Sequence, residues 1–187
     1  MNTPNKLTIF RMLITPVFLA VLLNGKTPHS YFFAAFIFSI GAITDTLDGR
    51  IARKFNQITV FGKLMDPIAD KMLTTAALLG FMQLGLCNIW IIVIVLAREF
   101  SITSLRLVAS SQGTVIPANV WGKLKTVCQM IFTIAIMLLG EVKHLGWFGG
   151  LKELPLISNI LLWITAALTA VSGIIYIYDS RRIIKFD

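Results

Sequence analysis

The chain has 187 residues, of which 56% are hydrophobic and only 14% charged, and its mean hydropathy is +0.79. A soluble domain carries about 25% charged residues, so this chain lacks the polar side chains to cover a water-facing surface. The composition excludes a disordered tail, a coiled coil and an ordinary soluble enzyme, and the net charge of +8 reads as membrane topology and anion handling, with no nucleic-acid partner.

Uncharged runs occupy 12–25, 27–44, 72–97, 126–140 and 154–178. A membrane-spanning helix needs about 20 mostly apolar residues. The first run is short, but it becomes a full span when extended back through Arg11 to Lys6, with Arg11 snorkelling to the interface. The third is too long for one span, and Gly85, Cys87 and Asn88 divide it into two helices. The reading is an all-α integral membrane protein with a single domain over 1–187. Its six transmembrane helices lie at 6–24, 30–53, 63–84, 89–111, 121–141 and 155–182. The first is read as an uncleaved helix, because Arg11 and Pro16 interrupt its apolar stretch and 21–24 lacks a small-x-small cleavage pattern.

Lysine and arginine placement orients this bundle. With the N-terminus in the cytoplasm, fourteen of the 17 fall on the inner side, leaving Lys26, Lys143 and Lys152 outside. Both termini are then cytoplasmic, by the positive-inside rule. Trp90 and Trp147 fall near outer boundaries and Trp121 near an inner one, as interfacial aromatics do. Cys87 and Cys128 lie in apolar runs and read as free buried thiols. His29 and His144 fall in outer connections and read as solvated. Ser172 and Gly173 on the last helix would allow close packing in a dimer.

Acids are scarce, yet Asp45, Asp48, Asp66 and Asp70 place four of the nine within 26 residues. Asp45 and Asp48 share one helix face, and Asp66 and Asp70 share another. The segment 49–62 is long enough to reverse the chain and bring the pairs together. Isolated acids near helix ends usually pair with neighbours such as Arg50, Arg53 and Lys71. Two pairs at one membrane depth in an acid-poor chain favour a metal site instead, since facing carboxylates repel unless cations lie between them. Oxygen-only ligands suit hard divalent cations such as Mg2+ or Mn2+. Gly49 and Ala52 let a ligand approach the backbone beside the acids. Arg53, one turn from Gly49, is placed either to meet a phosphate or to serve as a juxtamembrane charge.

The pattern Asp45-x2-Asp48-Gly49-x2-Ala52-Arg53-x8-Gly62-x3-Asp66-x3-Asp70 resembles the signature of the CDP-alcohol phosphotransferases at every position. The resemblance implies a six-helix membrane enzyme, a homodimer with its site facing the cytosol, which transfers a group from a CDP-linked donor to an alcohol and releases CMP. It implies two divalent metals per site, bridged by Asp45 and Asp66, with Asp48 completing the first and Asp70 the second. Asp70 would also be the general base. Gly49, Ala52, Arg53 and Thr59 would contact the CDP moiety. Pro4-Asn5-x-Leu7-Thr8 resembles a family segment near the nucleotide, and reads equally as a helix N-cap.

The acceptor is addressed by the second half. The fourth helix carries Arg98, Glu99 and Arg106, and the two arginines, two turns apart, face one way. The fifth opens with Lys123, Lys125 and Thr126, followed by Gln129. Glu99 can neutralise at most one of the four cations, and intramembrane charges default to function. The surplus suggests an anionic acceptor, although Lys123 and Lys125 also read as contacts for anionic headgroups. The stretches 98–106 and 122–129 are similar to those of bacterial family members that use glycerol 3-phosphate. That likeness implies CDP-diacylglycerol as donor and sn-glycerol 3-phosphate as acceptor, in the cytoplasmic (inner) membrane, with Arg98, Arg106, Lys123 and Lys125 on the acceptor phosphate. Inositol phosphate or phosphatidylglycerol as acceptor, and a cation transporter from a different class, are the alternatives.

Overall fold

Six α-helices follow one another across short connections: α1 (Thr3–Leu23), α2 (Ser30–Lys54), α3 (Val60–Gln83), α4 (Ile89–Ser111), α5 (Val120–His144) and α6 (Leu154–Ser180). The computed structural model describes residues 3–25, 27–54, 60–114, 120–146 and 152–181, and the side chains of these except 3, 4, 45–54, 60–64, 66 and 70. The six expected helices are all present, and no end differs by more than three residues. At about 1.5 Å per residue each is long enough to cross a hydrocarbon core about 30 Å thick. Among the described residues, windows in α1, α5 and α6 are also apolar enough to do so by composition, and Ser30–Thr44 is a shorter apolar stretch of α2. In α4, Arg98, Glu99 and Arg106 interrupt an otherwise apolar run. The protein is an all-α, multi-pass membrane protein.

Local signals explain the boundaries. After α3 the chain turns at Gly85 (φ 72°), a left-handed conformation that a side chain disfavours. There Leu86 N–H donates to the Phe81 carbonyl (2.8 Å) and Gly85 N–H to that of Met82 (3.0 Å), so both last-turn carbonyls are satisfied. Asn88 then caps α4, its side chain accepting from Trp90 N–H at 3.0 Å.

The helices close into a ring. α1 packs on α2 and α3, α2 on α5, α5 on α6, α6 on α4, and α4 back on α3. The interior is filled by residues such as Phe18, Leu22, Phe38, Leu78, Phe81, Ile91, Ile136 and Met137. Small residues set the closest approaches: a Cβ added at Gly80 would lie 2.7 Å from Leu22, and one at Gly140 2.7 Å from the Tyr31 ring. The outside carries Leu13, Phe36, Leu107, Ile131 and Ile174 as exposed side chains, the apolar exterior that lipid requires. Trp90 and Trp121 are exposed near the starts of α4 and α5. Trp147 lies outside the described residues.

Two expectations are corrected. Arg11 does not snorkel; it is 1% exposed and lines a small cavity with Phe38, Gly41, Ala42, Leu73, Thr74 and Met130. His29 (φ 61°) is exposed as expected, and in addition its Nδ1 lies 2.7 Å from the buried Glu141 carboxylate, which also accepts from Phe32 N–H at 3.2 Å. Glu141 thereby fastens α5 to the positive end of α2. Gly173 packs against the Arg98 stem on α4 of the same chain, and Ser172 is buried within the bundle, so neither is exposed for a dimer contact. His144 is exposed as expected, and among the two free thiols Cys87 is buried and Cys128 half-buried.

Candidate active site

The backbone carries Asp45 and Asp48 in the last three turns of α2, and Asp66 and Asp70 in the first three turns of α3. Spacings of three and four residues keep each pair on one face. The two helices run antiparallel and approach at Gly41, where an added Cβ would stand 2.6 Å from a Leu73 methyl. Gly41 is one turn before Asp45, and Leu73 is one turn after Asp70. The acid-bearing stretches therefore leave this close approach at the same depth. The side chains of Asp45, Asp48, Ala52, Arg53, Asp66 and Asp70, and Gly49 with them, lie outside the described side chains, and Thr59 lies outside the described residues. Oxygen-only donors carried at one depth on two adjoining helices form a set that fits hard divalent cations.

α1 contributes a buried polar stripe to the same region. Asn5, Thr8, Arg11 and Thr15 are all less than a tenth exposed and recur at helical spacing, on the helix that packs against α2 and α3. Because α1 already begins at Thr3, Asn5 and Thr8 lie inside the helix and not at its cap, which corrects the capping alternative. The Arg11 guanidinium shares its cavity with Gly41 and Leu73, and so lies beside the point where the two acidic stretches converge.

The cations of α4 and α5 form a second group. Arg98 Nη1 donates to Glu99 Oε1 at 2.8 Å, and Lys125 Nζ donates to the same oxygen. Glu99 thus holds two cations at once, where one was expected. Lys125 is 4% exposed, and the side chains of Arg98 and Glu99 are 13% and 20% exposed. Lys71, the residue after Asp70 on α3, donates to the Pro67 carbonyl at 3.2 Å and is within electrostatic range of Lys125. Among the described side chains, Arg98, Lys125 and Lys71 carry two more positive charges than Glu99 offsets. Glycine makes room for Arg98: a Cβ at Gly173 would stand 2.9 Å from its Cγ, and one at Gly122 3.3 Å from its Nη2. Its Nε is buried with no hydrogen-bond partner among the described residues. Two turns further along α4, Arg106 Nε donates to Tyr176 Oη at 3.1 Å, and its guanidinium carbon stands 5.4 Å from the centre of that ring. Lys123 is exposed on the first turns of α5, apart from this group.

The structure therefore brings Arg98 and Lys125 together, sets Arg106 further along the same helix, and leaves Lys123 at the surface. Sequence reasoning missed Lys71 and Tyr176 as neighbours of this group. It also missed the inward face of Arg11, which the helical spacing of Asn5, Thr8, Arg11 and Thr15 signals.

The fold is that of a multi-pass helical membrane protein with charged residues on α2 to α5, and comparison with known proteins identifies its family. The family model for CDP-alcohol phosphatidyltransferase matches residues 1–171, and the chain belongs to this family. A Bacillus subtilis protein named CDP-diacylglycerol--glycerol-3-phosphate 3-phosphatidyltransferase is 34% identical, covering 98% of this chain and 97% of its own length. A Rickettsia felis protein of the same name is 36% identical over 97% of this chain and 96% of its own length. A Mycobacterium tuberculosis protein named "Probable phosphatidylglycerophosphate synthase" is 38% identical over 97% of this chain and 82% of its own length.

Proposed function

We propose that the chain transfers the phosphatidyl group of CDP-diacylglycerol to sn-glycerol 3-phosphate, giving phosphatidylglycerol phosphate and CMP. The observation that carries this reading is the surplus of positive charge among the described side chains of α4 and α5, where Arg98 and the buried Lys125 share the one carboxylate of Glu99. A neutral or cationic alcohol has no use for it, whereas an acceptor phosphate supplies the missing anion. Family membership and the names of the full-length relatives agree with this assignment.

Asp45, Asp48, Asp66 and Asp70 would hold two divalent cations, Mg2+ or Mn2+. When bound, these would neutralise the donor diphosphate and stabilise CMP as it leaves. Gly49 and Ala52 present a bare stretch of helix to the donor, and Arg53 and Thr59 contact the CDP moiety. Arg98, Arg106 and Lys125 bind the acceptor phosphate, which turns the glycerol 1-hydroxyl toward the β-phosphorus, while the exposed Lys123 meets anionic headgroups. Asp70 accepts that hydroxyl's proton. The alcohol oxygen bonds to the β-phosphorus, and the bond from that phosphorus to the CMP oxygen breaks. The excess of Lys and Arg at the end of the bundle expected to hold both termini supports a site on the cytoplasmic face of the inner membrane, where both soluble ligands reside. The active form is a homodimer.

The test uses purified protein in detergent with CDP-diacylglycerol, Mg2+ and labelled sn-glycerol 3-phosphate, following CMP release and lipid labelling together. Labelled lipid that disappears with EDTA is the expected result. Label transferred only from inositol phosphate, or lipid formed only on phosphatidylglycerol, would retain the family chemistry and refute the acceptor. No product with any alcohol, together with metal flux in vesicles, would refute the enzyme reading in favour of a transporter.

A further inference from the structure

The last helix carries no Lys, Arg or Glu within its 27 residues and a lone acid, Asp179, near its end, so nothing in its composition marks it for chemistry. Yet it is the element against which both acceptor arginines lie. On α4, Ile102, Arg106 and Ala109 recur at helical spacing, and Ile102 and Ala109 are 4% and 1% exposed in one cluster with Tyr176. Tyr176, itself 2% exposed, is thus wedged between the turns that flank Arg106. Its hydroxyl accepts from Arg106 Nε and its ring lies beneath the guanidinium. One turn earlier on α6, Gly173 leaves the space that the Arg98 stem fills.

An arginine at an exposed position ordinarily samples many rotamers, and ordering it costs about 2 kcal/mol of side-chain entropy. Arg106 is exposed overall, but two of its contacts end on one rigid, buried ring. With Nε committed to Tyr176, both Nη groups are left to meet a phosphate end-on. We propose that Tyr176 is a positioning residue for the acceptor: it holds Arg106 in the orientation that receives the glycerol 3-phosphate anion, and touches no substrate itself. This rests on the acceptor role assigned to Arg106 above.

The test is a double-mutant cycle on the purified enzyme with Tyr176→Phe and Arg106→Lys, reading KM for sn-glycerol 3-phosphate, KM for CDP-diacylglycerol and kcat separately. Tyr176→Phe keeps the buried ring and removes only the acceptor oxygen. The expected result is a rise of about fivefold in the glycerol 3-phosphate KM, the size of one hydrogen bond, with kcat and the donor KM unchanged. In the Arg106→Lys background the same substitution adds nothing further, because a lysine has no Nε–H to be held there. Additive effects in the cycle, or an unchanged acceptor KM in Tyr176→Phe while Arg106→Lys raises it, overturn the proposal and leave Arg106 as an acceptor ligand. An unchanged acceptor KM in Arg106→Lys overturns the acceptor assignment and removes the basis of the proposal with it. General loosening of the α4–α6 seam would move kcat and both KM values in either background, which also overturns it.

Discussion

Glu99 is where the structure makes its sharpest energetic claim. Its carboxylate is the shared counter-ion of Arg98 and Lys125, and it ties α4 to α5 directly although each of those helices packs mainly on α6. In Glu99→Gln the charge disappears while shape is kept. Lys125, 4% exposed, would then lie beside Arg98 with no carboxylate partner among the described side chains. Removing one member of a fully buried ion pair costs about 3–5 kcal/mol. Glu99 is itself 20% exposed on its side chain, so solvent screening brings the expected loss to about 2–4 kcal/mol. For a chain of this size that corresponds to a fall of about 5–15 °C in melting temperature. Thermal unfolding in detergent, followed by tryptophan fluorescence, measures it. Replacing Lys125 by Met in the Glu99→Gln background should recover most of the loss, because the stranded ammonium is then gone and Arg98 can reach solvent. A Glu99→Gln protein that melts with the wild type, or a double variant no more stable than Glu99→Gln alone, would refute the claim that these charges are desolvated.

Three further outcomes are expected. Asp66→Asn and Asp70→Asn each lower turnover by about a hundredfold or more while the protein still inserts and purifies as a folded species; full activity in either would refute the carboxylate site. Gly140→Ala drives a methyl to 2.7 Å from the Tyr31 ring and should cost about 1–3 kcal/mol in a denaturation experiment; an unchanged midpoint would refute the close α2–α5 contact. Burial pushes the Cys87 thiol, in the turn between α3 and α4, up to about 12, so at pH 8 it is overwhelmingly protonated. In a Cys128→Ser protein, iodoacetamide should label Cys87 only after denaturation, as read by intact mass, and rapid labelling of the native protein would contradict that burial.

Much of the fold is legible in the residue order because membrane helices obey a local rule. Length and apolarity define a span without reference to any partner, and Gly85 and Asn88 mark the break in 72–97 that apolarity alone hides. The aspartate pairs are legible for a similar reason: helical spacing fixes shared faces, and facing carboxylates have few uses. Partnership across the ring is what stays hidden. Arg11 reads as a snorkelling residue until α2 and α3 are seen to enclose it. Glu99 reads as a counter-ion for one cation until α5 delivers Lys125 to the same oxygen as Arg98. Gly173 reads as a dimer contact until the Arg98 stem is found in its place. Tyr176 has no charge and no motif, and only the packing of α6 on α4 gives it a role.

The order of helices around the ring explains how two chemically opposed groups coexist at one depth. α1, α2 and α3 bring the aspartates and Arg11, while α4, α5 and α6 bring Arg98, Lys125 and Arg106 with their supports. The α3–α4 and α2–α5 contacts are the seams between these halves. Asp70 and Lys71 are consecutive on α3, hence about 100° apart around its axis. Consecutive positions on a helix do not share a face, so one helix can border both groups without pairing its own acid and base into a neutral, inert bridge. A donor diphosphate at the aspartates and an acceptor phosphate at the cations would then meet across α3, with the proton acceptor of the proposed reaction carried on the helix between them.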